Sequence, residues 1–447
     1  MPAPKPAAAA AYESLLTKAL EACDADESEA LINGSDAALT RFCDNAVHEN
    51  VLESNAQLSV RAVIGRRIGV ASTNRLDAGG IRDVAARALH IARISAPDER
   101  FPGLPRDCGP VLDMPGAWDE ATAQASPQAR VAAVAQIAGV MRRSGLNAAG
   151  YVATRADFLG VANSHGVSRF CRFTDAAVNV KAMGADSSGY AEGFARRLAD
   201  IDAQQIAERA AGKAVAGRAP ADLEPGAYPA VLEPPAFREF LGYLSWIGFG
   251  AQPFDQGSSF MSGRIGERVA GRNVTIQDDF AHELGDGMPF DFEGVPRRKV
   301  LLIDAGVARD VVYDSYYAAK LGHANTGHAL PAPNADGPLP LNIVVAPGTA
   351  SQEELIAGIE RGVLVSRTWY IRLVDQKQTL ITGMTRDGFF LIENGSVTRG
   401  LKNMRFNESI VGALGRCELA CTPVRSESHV LPAVKIDGFH FTSGTTF

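Results

Sequence analysis

The chain has 447 residues, 46% hydrophobic and 21% charged, with a formal net charge of −7. That length favours two or three domains with real cores. The mild acidic balance, with both signs interspersed and no basic helix face, excludes a nucleic-acid surface.

MPAPKPAAAAAYESLL at the start has neither an apolar core nor a positive leading region. A frayed Pro/Ala stretch entering a helix is expected there, not a signal peptide. AAYESLLTKALEAC has apolar residues at helical spacing. From Glu27 to Thr73 the pattern turns to strands, with clear alternation over Gln57–Val63 and a glycine-flanked turn at IGRRIG. Asp77 is placed to cap the amphipathic helix that follows. A Pro/Gly-rich loop then runs over the surface to Trp118.

The same order recurs. Ser126-Pro127 opens a helix, strands follow through GYVATRADFLGVANSHGVSRFCRFTDAAVNVKAMG, and DIDAQQIAERAAGKAVAG closes as a helix. SVRAV at 59 matches NVKAM at 179, and RFC occurs at 41 and 169. A duplicated unit of helices and antiparallel strands is the reading. APADLEPGAYP at 219–229 is the best linker. The expected domains are therefore 1–220, helices packed on antiparallel strands, and 221–447, mostly antiparallel sheet. The fold class is α+β. In the second half TRDGFFLIENGSV carries Asp-Gly and Asn-Gly turn signals around one short strand. SQEELIAGIERG and SIVGALGRCELA are the helices that interrupt the strands.

Candidate chemistry is sparse. His282-Glu283-x-x-Asp286 imitates a zinc-protease pair, but Gly285, Gly287 and Pro289 argue for a polar loop. His323 and His328 sit in a glycine-rich loop without an adjacent third ligand. Cys417 and Cys421 are read as one helical turn apart, with His429 or His440 as further zinc candidates. Ser258, Ser259 and Ser262 have no histidine nearby in sequence, so loop hydrogen bonding is expected of them. Asp278, Asp279, Asp291 and Glu293 are read as strand ends, not metal ligands. Trp246–Phe249 reads as a core stripe on the helix PPAFREFLGYLSWI, whose one carboxylate is Glu239. Six cysteines make no disulfide framework, and no apolar run approaches the ~18 residues of a membrane span. A cytoplasmic protein with reduced thiols is expected.

A family resemblance adds what the residues leave open. GSSFMSGRIGERVA, DFEGVPRR, LGHANTGHA, NIVVAPGTASQEELI, RGVLV, GLKNMRFNES and LPAVKIDGFHF, in this order, resemble the TldD/PmbA family of metalloproteases. In the N-terminal half RFCDNAVHENVLESNAQLSVRAVIGRRIGVASTNRLD and FPGLP do the same. One kind of subunit in that family carries H-E-x-x-x-H on the helix before the glycine-serine loop. The matching window here, Gly242–Ile247, is GYLSWI. The resemblance is therefore to the PmbA (TldE) kind, which lacks the motif. It implies no catalytic, cofactor or metal residue in this chain. A zinc-type metal is expected in an H-E-x-x-x-H-bearing partner, with unfolded peptide as substrate. Gly257, Ser258, Ser259, Gly263, Arg264 and Glu267 would then shape a shared chamber or interface. Two readings stay open: a self-sufficient metallopeptidase using His323, His328, Cys417 and Cys421, and a non-enzymatic peptide-binding module.

Overall fold

The computed structural model describes residues 8–106, 108–285 and 287–444. A first unit comprises α1 (Ala8–Glu21), β1 (Glu27–Cys43), β2 (Ala46–Ile64), β3 (Arg67–Thr73) and α2 (Ala78–Ile94). After the short α3 (Glu120–Ala123) the order repeats. The second unit is α4 (Pro127–Arg143), β4 (Asn147–Asn163), β5 (Ser168–Met183), β6 (Ser188–Ala195) and α5 (Ala203–Ala216). The six strands make one sheet, β3-β2-β1-β4-β5-β6, antiparallel throughout. Asp77, Ser126 and Asp202 cap their helices by accepting backbone N–H groups, as the local sequence requires.

The duplication is visible in this topology. SVRAV lies at the end of β2 and NVKAM at the end of β5. Gly69 on β3 and Gly189 on β6 follow at the same offset, each pressed against its unit's closing helix. A Cβ on Gly69 would stand 2.1 Å from the Ala88 carbonyl, and one on Gly189 would stand 2.2 Å from that of Ala210. The RFC recurrence is a correction. One copy ends β1 and the other opens β5, so they are not equivalent.

Successive strand residues face opposite sides, and the two faces of the sheet have different jobs. Ala30, Ile32, Leu58 and Val60 pack with α1 and α2. Val152, Val178 and Val180 pack with α4 and α5. On the other face Leu31, Leu159 and Val161 meet Met288 and Phe290 of the C-terminal half.

That half opens with β7 (Gly226–Leu232), α6 (Pro234–Ile247) and α7 (Ala251–Asp255). Strand Val434–Gly444 pairs antiparallel with β7 inside a nine-stranded sheet. A second, six-stranded sheet includes β8 (Ile276–Asp278), β9 (Val300–Asp304) and β10 (Val307–Ala308). Both sheets are mostly antiparallel, each with one parallel pairing. Asn394 (φ 48°) and Gly395 (φ 76°) form the two-residue turn that the Asn-Gly signal calls for. The helix α8 (Ser315–Leu321), capped by Asp314, has no counterpart in the sequence reading. Cys417 is a correction too: helix Ile410–Leu414 ends before it, and it opens a strand, Cys417–Leu419.

The glycine contacts yield a paired prediction. Gly69→Ala and Gly189→Ala each drive a methyl into helix backbone and should cost at least about 2 kcal/mol. Gly212→Ala, on α5 with open space around it, should be neutral or stabilise by up to about 1 kcal/mol. Thermal and urea denaturation of the three variants measures both.

Candidate functional site

Helix α6 is the centre of the region that the sequence singles out. Pro234 and Pro235 start it, and Phe237, Phe240, Leu241 and Leu244 bury one stripe in the main core. Its other side carries Gly242, Tyr243 and Trp246. The Tyr243 hydroxyl donates to the Ile371 carbonyl at 2.9 Å. Trp246 is 50% exposed, which corrects its assignment to the core, whereas Ile247 and Phe249 are buried as expected. The helix stops at Gly248, whose N–H bonds the Leu244 carbonyl.

The glycine-serine loop follows α7. Gly257 and Gly263 both have φ +73°, a conformation that favours glycine. All three serine hydroxyls donate to main-chain carbonyls: Ser258 to Pro253 (3.3 Å), Ser259 to Gly248 (2.6 Å) and Ser262 to Phe254 (2.9 Å). Gln376 also donates to Ser258 at 3.1 Å. None of these hydroxyls has a base beside it to make it a nucleophile. Arg264 and Glu267 pair with each other at 3.2 Å, and Arg264 also donates to the Arg268 carbonyl. These bonds fold the loop on itself.

The alternative metal residues are held elsewhere. His328 is fully buried, with one ring nitrogen on Asp278 (3.0 Å) and the other on Thr326 (2.9 Å). His323 stacks on Tyr313 with ring centroids 4.8 Å apart. Cys417 is buried against the Leu414 carbonyl, and Cys421 is exposed beside Thr422. His429 is buried, and burial with nearby Arg238 pulls it down to about 4. His440 pairs with Glu408 at 3.2 Å. His282 and Glu283 lie in a loop, and Asp286 falls outside the described residues. Among the described residues no three His, Cys, Asp or Glu side chains converge as a metal site. At Gly242–Ile247 the donor set does not fit zinc, which needs imidazole, thiolate or carboxylate ligands.

Two buried polar networks escaped the sequence reading. In the first, Asp278 accepts from Arg297 (3.1 Å), contacts His328 and accepts the Asn342 N–H (2.7 Å). Burial would raise the Asp278 carboxyl, but Arg297 and then His328 outweigh it and hold it well below the usual range. Asp278 does end a strand, as expected, whereas Asp291 and Glu293 sit in a loop. Asp291 organises that loop by accepting the N–H groups of Glu293, Val295 and Ala329. Burial, then Glu293, push its carboxyl up.

The second network joins the halves. Arg61 on β2 sits opposite Glu29 on β1 and donates to both of its oxygens at 2.6 and 2.7 Å. Arg61 also reaches Glu293 at 3.4 Å. Burial works to raise Glu29, and the Arg61 fork opposes it. Burial is the larger effect and leaves the Glu29 carboxyl above its ordinary value, while the guanidinium, which cannot lose its proton in a protein, stays a cation beside it. Asp314, nearby, is pushed to about 6 by burial and then by Glu293. The sequence offered one signal for this network, the acids crowded into DFE.

Comparison with known proteins now places the chain. Residues 225–443 match the PmbA/TldA metallopeptidase C-terminal domain, and residues 30–92 match PmbA/TldA metallopeptidase domain 1. The chain belongs to the PmbA/TldD family of metallopeptidases. A metalloprotease of Methanothermobacter thermautotrophicus is 28% identical over 168 residues, 36% of this chain and 35% of that one. A metalloprotease TldD homolog of Haemophilus influenzae is 29% identical over 150 residues, 32% of this chain and 30% of that one. The chain thus aligns with about a third of the length of these curated relatives. Solved structures match over nearly all of it. TldE from Thermococcus kodakarensis has a TM-score of 0.87 at 22% identity, covering 97% of this chain and 100% of that one. A Thermotoga maritima chain gives 0.85 at 17%, covering 96% and 100%. At such identities the likeness is one of fold.

In this PmbA/TldD chain the Arg61 network makes two predictions. Arg61→Leu leaves Glu29 and Glu293 buried without their cation and should destabilise by about 3–5 kcal/mol, read by chemical denaturation. For Asp314 the raised folded value means stability that is present below about pH 4 and lost as pH rises through about 6. Asp314→Asn keeps the α8 cap but cannot ionise. Between pH 4 and 7 the thermal midpoint of the wild type should therefore fall relative to that of the variant.

Proposed function

We propose that this chain is the metal-free subunit of a heterodimeric, cytoplasmic metallopeptidase that degrades or matures unfolded peptides. The carrying observation is the exposed side of α6. Where metal-bearing family members are expected to have H-E-x-x-x-H, this helix keeps its buried apolar stripe and presents Gly242, Tyr243 and Trp246. A metal-activated water needs imidazole, thiolate or carboxylate ligands and a base beside it, and these side chains supply none. The frame is kept and the chemistry is assigned to the partner. The match in fold to a protein called TldE supports the same reading. Among the described residues no helix is long and apolar enough to cross a membrane.

Reconstitution tests it. The chain should show no chelator-sensitive peptidase activity alone. Mixed with an H-E-x-x-x-H subunit from its own host, it should cleave unstructured peptides and spare folded proteins. The expected increase over the partner alone is at least about tenfold, equivalent to about 1.4 kcal/mol of barrier. Full activity of the partner alone, or chelator-sensitive cleavage by this chain alone, would falsify the proposal.

A further inference from the structure

Two stretches that the sequence singles out, FPGLP and LGHANTGHA, take no part in the peptidase reading, and the fold brings them together. Pro102–Arg106, His323 and Asn325 line one open pocket of about 460 Å³, completed by Arg298 and Ser315. We propose that this pocket binds the phosphate group of a small organic phosphate.

Three fixed segments build it. The first loop is tied to the N-terminal sheet. Glu27 of β1 accepts the Leu104 N–H at 2.7 Å, and the Asn163 amide of β4 donates to the Pro105 carbonyl at 2.9 Å. The second segment follows α8. Gly322 (φ +69°) ends that helix in a left-handed turn, the conformation glycine supplies at a helix end. The His323 N–H then bonds the Ala318 carbonyl, and its ring lies nearly parallel on buried Tyr313. The third segment is Arg298, whose N–H donates to the Thr326 carbonyl at 3.0 Å, next to Asn325 in the chain. Ties of this kind set where each of the basic side chains begins.

The lining is one-sided in charge. Arg106, Arg298 and His323 are its basic groups, and its described residues include no aspartate or glutamate, in a chain of net charge −7. Asp107 lies outside the described residues. Arg298 and His323 make no side-chain hydrogen bond or ion pair with any described residue. Arg106 stands 4.0 Å from Glu27, the outer limit of a pair, and Glu27 is already engaged by Leu104 and by His165 at 3.0 Å. The acids bonded near the rim are committed too. Glu293 accepts the Ser315 N–H while paired with Arg61, and Asp314 caps α8.

The donors favour phosphate over carboxylate. One guanidinium fork satisfies the two oxygens of a carboxylate, whereas two forks match the three oxygens of a phosphate group. Asn325 donates to the Ser315 hydroxyl at 2.9 Å, which leaves that hydroxyl's own hydrogen as one more donor. Pro105, Val295 and Ala318 add apolar wall. The volume falls in the range of about 300–1,000 Å³ usual for small-molecule sites and exceeds the needs of a bare ion, so an organic portion fits beside the phosphate.

The test is calorimetric titration of the full chain with inorganic phosphate at about 0.15 M ionic strength, where loose attraction is screened beyond about 8 Å. Saturable one-to-one binding is expected. Arg298 is exposed, so Arg298→Ala leaves the fold intact, and it should weaken binding by at least about tenfold. Arg106→Ala should do the same. Arg298→Lys keeps the charge without the fork and should fall between the two. Arg82→Ala, an exposed arginine on α2, should bind like the wild type. Phenyl phosphate should bind more tightly than inorganic phosphate, and acetate more weakly. Absence of saturable phosphate binding would overturn the proposal. So would unchanged binding in Arg298→Ala, an equal loss in Arg82→Ala, acetate binding as tight as phosphate, or phenyl phosphate binding no tighter than the bare ion. The titration needs neither metal nor partner, so its outcome and that of the reconstitution are independent.

Discussion

Arg61 stands between two acids that come from different halves of the chain. Glu29 faces it across the β1–β2 ladder, and Glu293 reaches it from a loop of the C-terminal half. A buried ion pair contributes little net stability, because desolvation offsets most of the attraction. It is exacting about geometry, however, since each charge is costly without its partner. The cluster therefore helps fix where the sheet meets the second half. Glu293 is itself fixed. Asp291 gathers the N–H groups of Glu293, Val295 and Ala329, and Ala329 adjoins His328 of the Asp278–Arg297 network. One network holds the loop, and the loop presents the acid to Arg61.

Helix α6 has one side set by the core and another that carries few core contacts. The buried stripe of Phe237, Phe240, Leu241 and Leu244 answers to the core. On the other side Gly242 and Trp246 are exposed, while Tyr243 packs against the edge of the core and donates to the Ile371 carbonyl. The loop beyond is stabilised by its own serines donating to main chain. Those hydroxyls, which a sequence scan weighs as nucleophiles, act as turn-forming groups.

The two units of the N-terminal half share more than order. In each, a glycine lets the closing helix approach the outer strand within a distance that excludes a Cβ. Close approach at Gly69 and Gly189 sets the angle of α2 and α5 on the sheet. The opposite face is left free to meet the second half through Leu31, Leu159 and Val161. A sheet packed on both faces by helices could not provide that contact.

Much of this was legible in the sequence because its causes are local. Helix periodicity, the caps at Asp77, Ser126 and Asp202, the Asn394-Gly395 turn and the repeated unit all depend on residues a few positions apart. The missing H-E-x-x-x-H window was readable for the same reason. What failed or was missed depends on partners distant in sequence. Trp246 fits an apolar stripe by type, and only packing decides that it faces out. The Cys417–Cys421 spacing fits a helix, but Cys417 pairs as a strand with Ile436. Arg61 and Glu293 lie 232 residues apart, and no spacing rule joins them. Sequence by itself determined most of the elements and the α+β class, because short-range sterics and hydrogen bonding set these. Tertiary structure alone decided which charges are buried together and which sheet face stays open, because burial and its electrostatic cost exist only once the two halves meet.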